Sequence, residues 1–214
     1  MPYDDALVSR VLAEARADVQ AELERVFARR RRTGYGPLYD LLADYPFREG
    51  KGLRPATCFA ACRAVGGRTE QALLSATALE LFHNAFLVHD DVEDGSQFRR
   101  GKVTLFESHG VPVAVNVGDA TNVLALDLLL GNTTAVGVRK ALLVFREVER
   151  MARESVEGQA IERGWIAEGR FDLGDRDYVR MRRCGQRSPS SRTSSRSSRV
   201  SRCWSASRRP STSA

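Results

Sequence analysis

The chain has 214 residues, 43% of them hydrophobic, which suits a globular protein with one buried core. It contains no run of about 18 consecutive apolar residues, and its start, MPYDDALVSR, lacks the basic and then apolar pattern of a secretion signal. We therefore expect neither a membrane span nor secretion, and we expect a cytoplasmic location.

The formal net charge of +6 is unevenly distributed along the chain. Nine arginines and no acidic residue lie from Arg182 onward, so residues 1–181 are mildly acidic. A basic protein would ordinarily suggest a nucleic-acid partner. Because the positive charge belongs to one terminal segment of different composition, no nucleic acid partner is expected.

The first predicted element is an amphipathic helix over residues 7–27, whose apolar residues recur every three or four positions. The arginines at 29–32 suit the end of this helix, where backbone carbonyls lack partners. Gly34 and Gly36 then interrupt the pattern. A short helix is predicted over residues 38–45.

A glycine-rich basic loop, GKGLRP, occupies residues 50–55. Its glycines would let the backbone approach a phosphate group closely, and Lys51 and Arg54 would supply positive charge. Pro55 is typical of the first turn of a helix. The next helix is therefore predicted from this proline to residue 65, before two glycines.

The central helix is predicted over residues 69–94, with one apolar stripe packed inward. Residues three, four and seven apart share a helix face, so a second stripe places His83, Asp90 and Asp94 together. Asp91 lies beside them. Crowded carboxylates repel one another unless a divalent cation binds them. Mg2+ is typically held by one or two carboxylates together with substrate phosphates.

Two adjacent arginines, Arg99 and Arg100, follow a Gly-Ser break just after the central helix. Guanidinium groups donate forked hydrogen bonds that suit phosphate oxygens. An isolated acidic helix face or arginine pair is more often solvated surface. Here the two occur together, downstream of the basic loop at 50–55, so we interpret them as one site for a metal ion and a diphosphate.

The rest of the chain to residue 181 is also predicted to be helical. The only strand-like alternation covers residues 111–117. Asp119 is interpreted as structural rather than catalytic, and His109 as a surface residue. The predicted segments are a short helix over 104–109, a stretch from Pro112 to Gly118, a continuation to Gly131, and a long helix over 138–166.

These motifs resemble the trans-type isoprenyl diphosphate synthases, or polyprenyl synthetases. The resemblance rests on GKGLRP, ELFHNAFLVHDDVED, RRGKVT and FESHGVPVAVNVGDA. It continues more weakly through EGQAIERGW and DYVRM, and so covers roughly residues 5–181. The first aspartate-rich motif with its RRG is highly specific to this family.

The resemblance implies roles for individual residues. Mg2+ and, through it, the diphosphate of an allylic substrate would be held by the three aspartates Asp90, Asp91 and Asp94. Arg99 matches the contact to the allylic diphosphate, and Gln159 is a weaker candidate in the segment that faces the acidic helix. Isopentenyl diphosphate would be bound by Lys51, Arg54, His83 and Arg100.

The resemblance also implies the fold and the reaction. The fold would be an all-α, antiparallel helical bundle of the isoprenoid synthase type around a central cavity, in a homodimer. The reaction would be prenyl transfer from an allylic prenyl diphosphate to isopentenyl diphosphate. Phe86, one turn before Asp90, would form the floor for the growing chain, with the small Ala85 beside it. An aromatic residue there goes with short products such as farnesyl or geranylgeranyl diphosphate.

The sequence changes character beyond residue 181. The segment 182–214 is rich in arginine and serine, has hardly any aliphatic residues, and is expected to be disordered. The family's second aspartate-rich motif does not occur, so residues 1–181 would form a truncated synthase domain of doubtful activity. We interpret the tail as translation in a shifted reading frame, with an arginine-serine nucleic-acid tail as the competing explanation.

Two other functions remain open. A class I terpene cyclase also uses an acidic DDxxD motif with Mg2+, but it needs no second diphosphate site, so Lys51, Arg54 and Arg100 favour a two-substrate transferase. The other alternative is a non-catalytic subunit that associates with a complete prenyl synthase.

Overall fold

The computed structural model describes residues 5–48 and 50–182. Within these residues the fold is helical apart from one two-stranded hairpin, which confirms the predicted all-α class. In chain order the elements are α1 (Asp5–Thr33), α2 (Gly36–Asp44), α3 (Leu53–Ala64), α4 (Thr69–Asp94), β1 (Phe98–Arg99), β2 (Lys102–Val103), α5 (Leu105–His109), α6 (Val111–Val136), α7 (Val138–Ala167) and α8 (Asp175–Arg182).

The chain divides into two compact units, Met1–Arg146 and Glu147–Ala214. The predicted domain over 1–181 therefore spans the first unit and the described part of the second. The predicted Arg/Ser-rich tail, apart from its first residue, lies outside the described residues. In the second unit, the rest of α7 carries ion pairs at helical spacing, such as Arg150 with Glu147 and Glu154. A Cβ at Gly158 would lie 3.3 Å from the carbonyl oxygen of Met181, so α8 passes close to α7 there.

The core of the first unit is the packing of α4 against α6. The α4 helix has the predicted bounds. At its start the backbone N–H of Arg68 donates to the Gln71 side chain. It ends at Gly95, in the left-handed conformation that favours glycine. The buried face of α4 includes Ala78, Leu81, Ala85 and Val88, and α1 and α3 also pack against this helix.

The α6 helix is continuous from Val111 to Val136, although a separate stretch ending at Gly118 was predicted. Gly118 is a contact point rather than a break, because a Cβ there would lie only 2.2 Å from Nε2 of His89 on α4. The valine alternation at 111–117 does not form a strand. Ala114 and Val117, three residues apart, are buried instead, as expected for one face of a helix.

By length and composition alone, α6 is apolar enough to cross a membrane, and no other helix in the described part of the chain is. The core helix of a globular protein meets the same criterion. Here one face of α6 is buried against α4, α5 and α2. Asp127 of the same helix forms an ion pair with Arg30 at 2.5 Å, which ties α6 to α1.

Candidate functional site

The C-terminal end of α4 carries the predicted acidic cluster. Asp90 is partly buried and Asp94 is exposed, and their spacing of four residues places them on one face of the helix. His83 lies two turns earlier on the same face and is partly buried. The predicted acidic stripe is thus present on α4.

Asp91 points in a different direction, into the interior, and is only 1% exposed. Its Oδ1 accepts hydrogen bonds from Nε and Nη2 of Arg99 at 2.7 and 2.5 Å. Its Oδ2 accepts one from the Tyr45 hydroxyl at 2.5 Å and a longer one from Arg99 Nε at 3.0 Å. Both oxygens are therefore occupied by protein donors.

This arrangement corrects the expectation that all three carboxylates are open to a metal ion. A guanidinium already neutralises the Asp91 carboxylate, so the aspartate anchors Arg99 instead. The hydrogen bond to Asp91 is the main reason that the pKa of Arg99 is raised. Helical spacing does turn Asp91 about 100° away from Asp90, but it could not show that Arg99 and Tyr45 occupy the Asp91 carboxylate.

The two arginines lie on a tight hairpin that was not predicted. Its strands pair Phe98 with Val103 and Arg99 with Lys102, so Arg100 and Gly101 form a two-residue turn. Both turn residues have positive φ, 52° and 75°, as a type I′ turn requires. Arg100 is the only non-glycine residue with positive φ in the described part of the chain, and this conformation costs roughly 1–2 kcal/mol.

Arg48, which lies outside every predicted motif, holds this hairpin from the turn after α2. Its side chain is 3% exposed and forms an ion pair with Asp44 at 2.5 Å. Nη1 donates to the carbonyl oxygen of Arg99 at 3.0 Å, and Nη2 donates to that of Val103 at 2.7 Å. The guanidinium also lies over the Tyr45 ring, 4.3 Å from its centroid. No motif marks Arg48, since the hairpin carbonyls that it contacts are distant in sequence.

A basic group faces His83. Burial, followed by the charges of Arg54, Arg100 and Arg99 in that order of importance, lowers the pKa of His83 to about 4. These three arginines, from the GKGLRP loop and the hairpin, therefore lie close enough to act on one imidazole. At neutral pH the imidazole is uncharged.

The loop before α3 supports this basic group by close backbone packing. A Cβ at Gly50 would lie 3.2 Å from Nη1 of Arg100, so the glycine lies directly against that guanidinium. Gly52 has φ +66°, and a Cβ there would lie 2.8 Å from the carbonyl oxygen of Leu12. The glycines thus bring the loop against both α1 and the hairpin. Lys51, between them, is exposed.

The remaining predicted residues lie elsewhere. Phe86 is partly buried on α4, whereas Ala85 is fully buried in the packed face of that helix. Ala85 is therefore a core residue. Gln159 lies on α7 in the second unit and is partly buried, so its predicted role stays a prediction.

The donor set at the end of α4 fits a magnesium ion that is shared with a substrate. The described residues contain no cluster of three or more His, Cys, Asp or Glu side chains arranged for a metal. Asp91 is bound to Arg99, and Asp90 and Asp94 place two carboxylates on one face of α4. Two carboxylates completed by phosphate oxygens and water are a usual environment for Mg2+.

Comparison with known proteins shows what this chain is similar to. The Polyprenyl synthetase family model matches residues 37–184. A "Short chain isoprenyl diphosphate synthase" from Methanothermobacter thermautotrophicus is 33% identical over 132 residues, covering 62% of this chain and 39% of the relative. A "Geranylgeranyl diphosphate synthase" from Mycobacterium tuberculosis is 36% identical over 132 residues, covering 62% of this chain and 36% of the relative.

A solved structure has the same fold. The polyprenyl synthase from Caulobacter crescentus CB15, complexed with calcium and isoprenyl diphosphate, superposes with a TM-score of 0.60 at 30% identity, covering 81% of this chain and 50% of that one. This chain thus spans half the length of that protein. It spans less than half the length of each of the two sequence relatives.

Proposed function

The chain belongs to the polyprenyl synthetase family, and we propose that its site binds an allylic prenyl diphosphate and isopentenyl diphosphate for prenyl transfer. The observation that carries this proposal is the hairpin after α4, which sets Arg99 on Asp91 and Arg100 against Gly50 of the GKGLRP loop, beside the acidic face of α4. A basic group next to a carboxylate pair can bind diphosphate directly and through a metal ion.

Each side of the site would have its own role. Asp90 and Asp94 would hold Mg2+, which when bound would supply electrostatic stabilisation of the departing diphosphate. Arg99, fixed by Asp91, would contact the allylic diphosphate. Isopentenyl diphosphate would be bound by Lys51, Arg54, His83 and Arg100.

His83 would take part as a neutral group. Its lowered pKa keeps the imidazole uncharged at neutral pH, so it can donate one hydrogen bond to a phosphate oxygen without adding charge. The surrounding arginines would supply the charge that attracts the anion. A bound diphosphate would offset their effect and raise the pKa of His83.

Product length would depend on Phe86, which lies one turn before Asp90 on α4. A prenyl chain that grows along this helix would meet the aromatic ring, so we propose short products such as farnesyl or geranylgeranyl diphosphate. Ala85 has no part in this proposal, because it is buried in the helix packing.

A second copy of the chain is the proposed partner. The α6 helix exposes large apolar side chains on the face turned away from α4, among them Val123 and Leu130 at 65% and 57% exposure. Val115 and Leu126 are also exposed. Apolar surface of this kind on one helix favours association, and a homodimer through α6 would cover it.

The activity of this chain by itself is expected to be low. Its sequence has one aspartate-rich motif, and ionisation of an allylic diphosphate is stabilised best when cations hold the leaving group from several sides. A non-catalytic subunit that binds diphosphate without turning it over is therefore the second candidate.

Binding and turnover measurements test the two candidates together. Isothermal titration with a non-hydrolysable allylic thiodiphosphate should show Mg2+-dependent binding, and absence of binding with or without Mg2+ would contradict the proposed site. Condensation with radiolabelled isopentenyl diphosphate should be far below the usual enzyme range of roughly 1–1000 per second. A rate within that range would remove the non-catalytic alternative.

A further inference from the structure

The hairpin that carries Arg99 and Arg100 is too small to hold its own shape. Each strand has two residues, and the turn contains a left-handed Arg100. An isolated hairpin, even a longer one, is marginally stable in water. The directions of the two arginine side chains must therefore be fixed by contacts from outside the hairpin.

Arg48 supplies such contacts to both strands. It donates to the carbonyl oxygen of Arg99 on β1 and to that of Val103 on β2. Its own carbonyl oxygen accepts a hydrogen bond from Nη1 of Arg100 at 3.4 Å. The planar guanidinium reaches both strands and Asp44 at once, because its donors are arranged as a rigid fork.

We propose that Arg48 is a positioning residue for diphosphate recognition, which fixes the hairpin so that Arg99 and Arg100 each face the diphosphate assigned to them. This inference rests on the proposed function, since it requires that the two arginines bind diphosphate. The Arg48 side chain is only 3% exposed, so it would act through the hairpin and not through contact with the substrate. Its contribution is to remove the freedom that the arginines would otherwise lose on binding.

The test is the variant Arg48→Lys, which keeps the charge beside Asp44 but cannot reach both carbonyls. Hydrogen exchange is read at the backbone amide of Thr104, which donates to the Gln97 carbonyl across the hairpin at 3.0 Å. Exchange there should be about tenfold faster. The dissociation constant for pyrophosphate with Mg2+, measured by titration calorimetry, should rise about tenfold.

The matched control is Arg31→Lys, which alters another arginine that forms an ion pair, here with Asp40 at 2.6 Å. It should change neither measurement. A second comparison uses the double variant Arg99→Ala, Arg100→Ala as background. There Arg48→Lys should weaken pyrophosphate binding by less than about twofold, since no arginine is left to position. A general structural role would give the same loss in both backgrounds.

Each result decides between the possibilities. Unchanged exchange at Thr104, or unchanged pyrophosphate affinity in a folded Arg48→Lys variant, would overturn the role of Arg48. If that variant does not fold, Asp44→Asn, which removes the ion pair that orients Arg48, is read in the same way. Failure of the unaltered chain to bind pyrophosphate would instead overturn the proposed function, and the inference with it, while the exchange measurement still reports on the hairpin.

Discussion

The hydroxyl oxygen of Tyr45 lies 2.5 Å from Oδ2 of Asp91, and this hydrogen bond joins the turn after α2 to the carboxylate that anchors Arg99. Burial of the phenol, followed by its hydrogen bond to Asp91, raises the pKa of Tyr45 well above its usual value. The hydroxyl therefore stays protonated and donates to the carboxylate throughout the range of pH in which proteins are normally studied.

Loss of this hydrogen bond should weaken the first unit. The variant Tyr45→Phe leaves Asp91 Oδ2 with only the longer contact to Arg99, so we expect unfolding in urea to require about 1–2 kcal/mol less free energy. Tyr35→Phe is the control, because Tyr35 is 73% exposed. Equal stability of the two variants would contradict the importance of the Tyr45 hydroxyl.

The two exposed-face aspartates should make diphosphate binding depend on Mg2+. In the double variant Asp90→Asn, Asp94→Asn, the affinity for an allylic thiodiphosphate in the presence of Mg2+ should fall about 10- to 100-fold, since charged contacts are lost. The residual affinity, which depends on the arginines, should be the same with Mg2+ or with EDTA. Glu93→Gln, an exposed position on the same turn, is the control, and an equal effect there would argue against a specific site.

Stability should decrease in acid because of His83. The pKa of His83 is about 4 in the folded chain and 6.5 when unfolded, so the unfolded chain takes up a proton first as the pH falls. The contribution of the neutral imidazole is complete above pH 6.5 and is lost progressively toward pH 4. The shift corresponds to about 3 kcal/mol, and solvent screening at this partly exposed side chain reduces the contribution to on the order of 2 kcal/mol.

The variant His83→Gln should flatten this part of the pH dependence, measured as the free energy of unfolding between pH 7 and pH 4. His109→Gln changes a histidine that is exposed on α5 and should leave the profile unchanged. A profile for His83→Gln that still has the slope of the unaltered chain would show that other groups cause it.

The contact between Gly118 and His89 predicts that Gly118→Ala destabilises the unaltered chain but stabilises a chain that lacks the His89 side chain. Gly118→Ala should lower the free energy of unfolding by about 1–2 kcal/mol, because the imidazole of His89 on α4 must move away from α6. In a His89→Ala background the same substitution should raise it by about 0.5–1 kcal/mol, as alanine favours a helix.

Gly164→Ala on α7 is the control for helix preference alone, since no atom lies within 4 Å of its added Cβ. It should be stabilising by about 0.5–1 kcal/mol. Destabilisation by Gly118→Ala in both backgrounds would assign the cost to another neighbour of Gly118.

Association through α6 should be sensitive to charge. Leu130→Glu places a carboxylate on the exposed apolar face and should shift sedimentation from dimer toward monomer, because a buried charge without a partner is costly. Val65→Glu changes a residue that is 85% exposed after α3 and should have no effect. Identical sedimentation of the two variants would place any interface elsewhere.

The helices could be predicted well because their signals are local. The bounds of α4 follow from a long apolar period and from the left-handed Gly95 at its end. The valine alternation at the start of α6 is a case where tertiary packing overrides a local pattern, since Gly118 fits against His89. The hairpin was missed because strands of two residues are too short to show a period of two.

The site could be predicted only in part, because some of its contacts join residues that are far apart in the sequence. Helical spacing grouped His83, Asp90 and Asp94 correctly on one face, and the family resemblance named Arg99 and Arg100. Tyr45 and Arg48 could not be found in this way, because they act on residues 46 to 55 positions away in the chain.

The hairpin is attached to two helices at once, to α2 through Arg48 with Asp44 and to α4 through Asp91. Any ligand that prefers one arrangement of the arginines must then prefer one separation of these helices, and the preference is reciprocal. A substitution that destabilises α2 would therefore weaken the affinity for the anion, even though the substituted residue does not contact the anion. In the same way, a bound anion would slow local opening of α2, so the end of that helix could serve as a remote reporter of occupancy.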